Sequence, residues 1–479
     1  MEFYLTRFLL QRAMAFCYLV AFLIAVNQFC ALAGEKGLMP VHHVFRNRGF
    51  WDAPGLFHFS ARTDTVFRVF AWLGVLLSLF ALSGYSEKFG FAGSLITWGL
   101  LWVVYLSFVN AGGEFYGFGW ELLLLEAGFL AIFLGPEGTA PPVLVIWLFR
   151  WVLFRLMFGA GMIKWRGDEC WRNLTCMDVH YQTQPLPNGL SWFLHHAPKG
   201  IHRVETALTL FLEIVIPFGF AFPNRVAWIA GGLTAVFQIF IILSGNLAWL
   251  NFLTIALCIS CFDDRALQWM AGLVTKGELT SPLAHQWTVY LLTAGVLVLS
   301  YRPVKNLLSS KQVMIASYDP FHLVNTYGLF GGITTERREI VIEGTDAAEP
   351  TDRAEWKAYE FKAKPGALNR RPPIVAPYYF KLDWQMWFAA MSPYWEHPWV
   401  INLAGKLLEG DRPTLALLAN DPFPGKPPRY LRMQWYEYRF AAPRNPEGNW
   451  WTRKFEEPYL EPISLDNPRF KAALSQLRD

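Results

Sequence analysis

Residues able to do chemistry gather in one stretch, Gly159 to Pro198, GAGMIKWRGDECWRNLTCMDVHYQTQPLPNGLSWFLHHAP. It begins as the end of an apolar helix and runs into a polar segment dense in Trp, His, Cys, Asp and Arg. Lys164 stands where the helix emerges, after Gly159, Ala160 and Gly161, small residues that let a neighbour approach closely. Two readings are open. The lysine is an interface anchor whose stem lies on apolar surface while its ammonium reaches the headgroups. Alternatively it is partly buried, with a lowered pKa, and serves as a base or as a cation facing a carbanion. Cys170 and Cys176 lie close together in the polar part. If that part is extracytoplasmic they form a local disulfide, a staple worth about 2–3 kcal/mol by chain entropy. A redox pair is the lesser reading, because the spacing is not CxxC. The true CxxC, Cys258-Ile-Ser-Cys261, sits in apolar sequence. Asp178, His180, His195, His196 and His202 lack the compact spacing of a zinc site, so no metal is expected and hydrogen bonding within the loop is the plain reading. Asn173-Leu-Thr175 is a glycosylation sequon, meaningful in a eukaryote.

A second set of polar residues falls inside apolar runs: Glu121 and Glu126, Arg150 and Arg155, Glu205 and Glu213. A charge near mid-membrane costs at least about 2.5–3.5 kcal/mol, so such residues pair with one another or face a polar cavity. The spacing within the first two pairs puts both members on neighbouring parts of one helical face, where Glu on one helix meets Arg on the next. Ion-paired glue between helices is one reading, and a cavity for a substrate or headgroup is the other.

These residues need helices to carry them. The chain has 479 residues, 53% hydrophobic and 17% charged, against the ~25% charged of a soluble domain. Long apolar runs fill residues 1–305, whereas 306–479 has the charge and proline of a soluble domain. The expected architecture is a multi-pass α-helical membrane domain, 1–305, with an extracytoplasmic loop at 164–205, followed by a sheet-rich α+β domain at 306–479. Nine spans are expected, at 13–33, 66–83, 91–109, 120–134, 141–163, 206–222, 225–244, 246–262 and 285–301, from the ~20 apolar residues a crossing helix needs. The first is read as an uncleaved anchor. With the N-terminus inside, Arg7, Arg12, Lys88, Arg225, Arg265 and Lys276 fall on the cytoplasmic side. Lys164, Arg166, Arg172, Lys199 and Arg203 fall outside, so the positive-inside rule supports this orientation only in part. In the C-terminal part, 312–318, 338–344, 356–363, 429–440 and 449–455 have strand pattern, while 382–391, 397–410 and a short run from Asp411 have helical pattern. The net charge of +4 supplies no basic surface for nucleic acid. No P-loop, GxGxxG, nucleophile elbow or HExxH is present, and no cofactor is expected.

RGDECWRNLTCMDVHYQTQPLPN with LHHAP (166–198), NTYGLFGGITTERREIVIEGT (325–345), RRPPIVAPYYFKLDWQMWFAAM (370–391), HPWVINLAGKLLEG (397–410) and NWWTRKFEEPY (449–459) closely resemble the lipase maturation factor family. The likeness makes Arg166, Asp168, Trp171, Arg172, Asp178, His180, His195 and His196 part of that family's signature loop. It implies a membrane-embedded factor that assists folding or assembly of secreted clients such as lipases. The loop and C-terminal domain would then lie in the periplasm of a bacterium, or in the endoplasmic reticulum lumen of a eukaryote. A shorter likeness, AGMIKW (160–165), is similar to vitamin K-dependent carboxylase and its horizontally transferred relatives (the HTTM superfamily). It implies a membrane enzyme with Lys164 as base and a lipid or quinone-like molecule in a cavity lined by Arg150, Arg155, Glu121 and Glu126. In the first reading the partners are membrane lipids and client proteins. Client contacts are then sought among Trp384, Trp387, Trp395, Trp399, Trp435, Trp450 and Trp451, most of which are expected to be core.

Overall fold

The computed structural model describes residues 2–46, 48–273 and 279–478; Lys276 lies outside them. Among the described residues, seven helices are long and apolar enough to cross a bilayer: Tyr4–Ala33, Asp64–Ser83, Gly90–Ala111, Val143–Arg166, Lys199–Ala221, Arg225–Ser244 and Leu283–Leu308. The expected spans at 120–134 and 246–262 are present as shorter helices, Gly119–Ala131 and Leu250–Cys258, the latter continued by one 3-10 turn to Cys261. At 1.5 Å per residue the 13-residue Gly119–Ala131 helix is about 20 Å long, well under the ~30 Å of hydrocarbon.

They can be short because the rest of the path is filled by protein. At one end of the bundle the N-terminus is tied to distant loops, Leu5 N–H donating to Asp264 (2.8 Å) and Arg7 to the Glu137 carbonyl (2.9 Å). At the other end the C-terminal part reaches down over the short helices. Strands β1 (Ile315–Ser317) and β2 (Asn325–Tyr327) form an antiparallel hairpin with Ile315 opposite Tyr327. The hairpin meets Val143–Arg166 near its middle, where Gly159 makes the approach possible: a Cβ there would lie 2.0 Å from the Tyr327 carbonyl oxygen. The small residue thus admits a strand as well as a helix. Gly161, by contrast, faces the next helix, where a Cβ would meet Ile214 at 2.7 Å.

Beyond the hairpin, β3 (Arg337–Thr345), β4 (Lys357–Tyr359), β5 (Tyr430–Phe440) and β6 (Trp451–Ile463) make an antiparallel sheet in the order β4-β3-β5-β6, with Ile340 opposite Trp435. The inserted helices Lys381–Ala389 and Pro398–Glu409 stand between β4 and β5. Pro398–Glu409 ends at Gly410, whose φ of +67° is the left-handed conformation that closes many helices. Asp411 then caps a short helix through the Thr414 N–H (3.0 Å). The expected sheet-rich α+β character is observed. Strand pattern did not reveal β2, and the terminal helix Pro468–Arg478 was not anticipated. Trp384, Trp399 and Trp451 are core residues, Trp387, Trp435 and Trp450 are half-buried, and Trp395 is 68% exposed.

Candidate functional site

The polar stretch after Lys164 is largely helical: Glu169–Arg172, Met177–Thr183 and Gly189–His195 fold it back over the membrane end of the bundle. Cys170 and Cys176 are disulfide-bonded, with Cα atoms 4.8 Å apart, and close the turn in which Leu174 takes a φ of +58°. Asn188 caps Gly189–His195 in a reciprocal box with Ser191. The carbonyl end of Met177–Thr183 is held by Arg337 of β3, which donates to the Gln182 (3.0 Å), Gln184 and Pro185 (2.9 Å) carbonyls. Arg337 is itself buried against Glu339 (2.6 Å), and Glu339 also takes Lys364 (2.9 Å). A loop attached to the membrane helices is thereby fastened to the sheet.

Lys164 is not an exposed anchor. It is 4% exposed, and its ammonium lies between both oxygens of Glu213, at 2.8 and 2.7 Å, and 5.5 Å from the centre of the Trp171 ring. The pair borders a cavity of about 90 Å³ walled by Met157, Ala160, Trp171, Tyr181, Phe237, Gln238, Leu250 and Asn251. A second, wider groove of about 370 Å³ lies toward the C-terminal domain, between Asp168, Thr183, Met314, Ile333, Trp387, Phe388 and Met391. His180, Gln184 and Phe330 border both spaces. Phe330 adopts a φ of +57°, a left-handed conformation costing a bulky residue of order 1–3 kcal/mol, which the packing around it must impose. Burial, with the nearby Lys164 charge second, lowers the His180 pKa to about 4, so this dividing imidazole is neutral at pH 7.

The rest of the signature loop is structural in its contacts. Asp168 accepts from Ile333 N–H (2.6 Å), Arg166 donates to the Leu307 carbonyl and to Gln312 (both 2.8 Å), and Arg172 donates to the Trp165 carbonyl (2.7 Å). Asp178 pairs with His202 (3.0 Å) and His196 bonds the Trp192 carbonyl (2.7 Å). His195 packs on Phe440, and burial lowers its pKa to about 4. Among the described residues no group of three or more His, Cys, Asp and Glu could hold a metal.

The intramembrane charges divide. Glu126 pairs with Arg155 between adjacent helices as the facing argument requires, but the pair is completed by the hairpin: Asn325 N–H (2.9 Å), its side chain (3.1 Å) and the Tyr327 hydroxyl (2.8 Å) all reach Glu126. Glu121 does not meet an arginine. It takes Lys381 (2.6 Å), the Tyr379 hydroxyl (2.6 Å) and the Tyr105 hydroxyl. Arg150 donates instead to the Ser260 carbonyl (2.8 Å) near the opposite end. Glu205 sits half-buried beside Tyr181. The Glu126–Arg155 pair, Glu121 and Arg150 therefore occupy three separate places, and none of them lines the Lys164 cavity, contrary to the arrangement the carboxylase likeness implies. Trp387, sought among the client contacts, lines the groove. Lys381 and Arg337 carry no mark of a site residue in the sequence; each belongs to a family-like string, but which partner each would reach has no sequence signal.

Residues 5–269 match the family described as lipase maturation factor transmembrane domain, and residues 323–461 match lipase maturation factor C-terminal domain. The chain is 43% identical to lipase maturation factor 1 of Bos taurus over 98% of this chain and 90% of that protein. It is 42% identical to lipase maturation factor 1 of Homo sapiens, over 98% and 89% of the two chains. To lipase maturation factor 2 of Rattus norvegicus it is 30% identical, over 97% and 84%. No solved structure matches.

Proposed function

This chain belongs to the lipase maturation factor family, and on that premise we propose that it assists the folding or assembly of secreted lipase-like proteins by holding apolar client surface in the groove between its signature loop and C-terminal domain. The observation that carries the proposal is the composition of that groove. Met314, Phe388 and Met391 are 49%, 36% and 43% exposed on its walls, with Trp387 beside them. Methionine is unbranched and polarizable, so a Met-rich, aromatic wall adapts to apolar surfaces of differing shape, as a folding factor requires. The role is one of holding, and no residue is assigned a covalent step.

The same reading puts the groove outside the cytoplasm, in a periplasm or an endoplasmic reticulum lumen. The Cys170–Cys176 disulfide supports this side, since such bonds persist in oxidising compartments. Arg7, Arg12 and Lys88 lie together at the other end. Alkylation in intact cells should leave both cysteines unlabelled until a reductant is added; labelling of both without reductant would put the loop on the reducing side. For the groove, a secreted lipase is co-expressed with wild type or with Phe388→Asp/Met391→Asp. Active secreted lipase is expected to fall about fivefold or more, the equivalent of ~1 kcal/mol of lost contact, at equal amounts of membrane-inserted protein. Unchanged lipase yield would refute the groove as the client contact.

A further inference from the structure

We propose that the cavity beside Lys164 binds one neutral, carbonyl-bearing lipid drawn from the bilayer. Its polar end is electrically closed. Both Glu213 oxygens hold the Lys164 ammonium at 2.8 and 2.7 Å, so the pair has no net charge to offer a phosphate headgroup, and the carboxylate repels one. Hydrogen-bond donors, however, remain unused. Trp171 is 1% exposed, and its indole N–H has no partner among the described residues. Gln238 is 4% exposed; its carbonyl takes Asn251 (2.7 Å), but its amide N–H meets the Met157 sulfur at 3.6 Å, a weak acceptor. Buried donors in native proteins are nearly always satisfied, so one unpartnered and one weakly partnered donor bordering the same cavity call for an acceptor in it. A carbonyl supplies it without bringing charge.

The other end suits a hydrocarbon chain. Met157, Phe237 and Leu250 form apolar wall, and Phe240, also on the lining, is 38% exposed on a helix whose outer side faces lipid. The opening therefore faces the bilayer. The free volume, about 90 Å³, admits one ring or a short length of one chain, with the rest of the lipid left in the bilayer. Ester carbonyls of acylglycerols and ring carbonyls of isoprenoid quinones share this chemistry, and their masses separate them. The inference is independent of which client the groove holds.

The test uses the full chain purified from membranes in mild detergent, with co-purifying lipids extracted and quantified by mass spectrometry. Wild type is expected to retain about one neutral carbonyl lipid per chain, and Trp171→Phe, which removes the N–H and keeps an aromatic ring, about fivefold less at an unchanged unfolding midpoint. Ala160→Leu, which fills the cavity, is expected to retain none. Should Ala160→Leu fail to fold, Trp171→Phe decides. Neutral lipid no richer in wild type than in the bulk membrane extract, equal retention by wild type and Trp171→Phe, or selective retention of an anionic phospholipid would each overturn the proposal.

Discussion

Replacing Lys381 with methionine tests the joint between the C-terminal domain and the membrane helices. Lys381 is fully buried; its ammonium donates to Glu121 (2.6 Å), to the Phe115 carbonyl (3.1 Å) and to the Tyr379 hydroxyl, and lies 3.5 Å from the centre of the Tyr116 ring. Met fills a similar volume and removes the charge, leaving Glu121, also fully buried, without its cation. Breaking a buried pair from one side costs about 3–5 kcal/mol. Here Glu121 keeps the Tyr379 (2.6 Å) and Tyr105 hydroxyls, so the low end, about 3 kcal/mol, is expected. That is roughly a hundredfold shift toward the opened form. Adding Glu121→Gln removes the stranded charge while the amide oxygen still accepts from a tyrosine, and should restore stability to within about 1 kcal/mol of wild type. Pulse proteolysis of the full chain in detergent micelles across a denaturant series measures Lys381→Met, Glu121→Gln alone and the double variant. Costs that add, with a coupling below about 0.5 kcal/mol, would refute the joint as a paired, water-free contact.

Two further perturbations address the domain and the hairpin. Burial pushes the Asp383 carboxyl up to about 6, against the pull of the Ala363 and Lys364 N–H groups (2.6 and 3.0 Å) on one of its oxygens. A carboxyl raised on folding stabilises most below its unfolded pKa of 3.8 and loses that contribution as pH rises through about 6, up to ~3 kcal/mol by linkage. Asp383→Asn should therefore flatten the fall in unfolding midpoint between pH 4 and pH 7, and an unaltered pH slope would contradict the assignment. Gly159→Ala should destabilise by about 1–3 kcal/mol, because its Cβ would lie 2.0 Å from the backbone oxygen of Tyr327, which cannot rotate away. Gly99→Ala, with nothing within 4 Å, is the control and should be neutral or stabilising by thermal unfolding; equal effects at the two glycines would refute the hairpin contact.

Amino-acid sequence alone determined the features that follow from local composition. Apolar runs of about 20 residues report crossing helices because backbone in hydrocarbon must bond itself, and helical period puts Glu126 and Arg155 on facing sides. Two nearby cysteines in a polar loop report a staple, and long Trp-rich strings report the family. Tertiary structure decided every partner beyond that reach. Glu213 lies 49 positions from Lys164, and Glu121 lies 260 from Lys381. A mid-membrane carboxylate states only that it needs a partner; which cation arrives depends on how the chain returns. Here the hairpin Ile315–Tyr327 and the segment at Tyr379–Lys381 descend onto helices too short to cross alone. The lysine that reads as an interface anchor becomes a buried ion pair for the same reason. Whether a charge at a helix end meets water or protein is set by what packs over that end, and no residue near Lys164 in sequence carries that information.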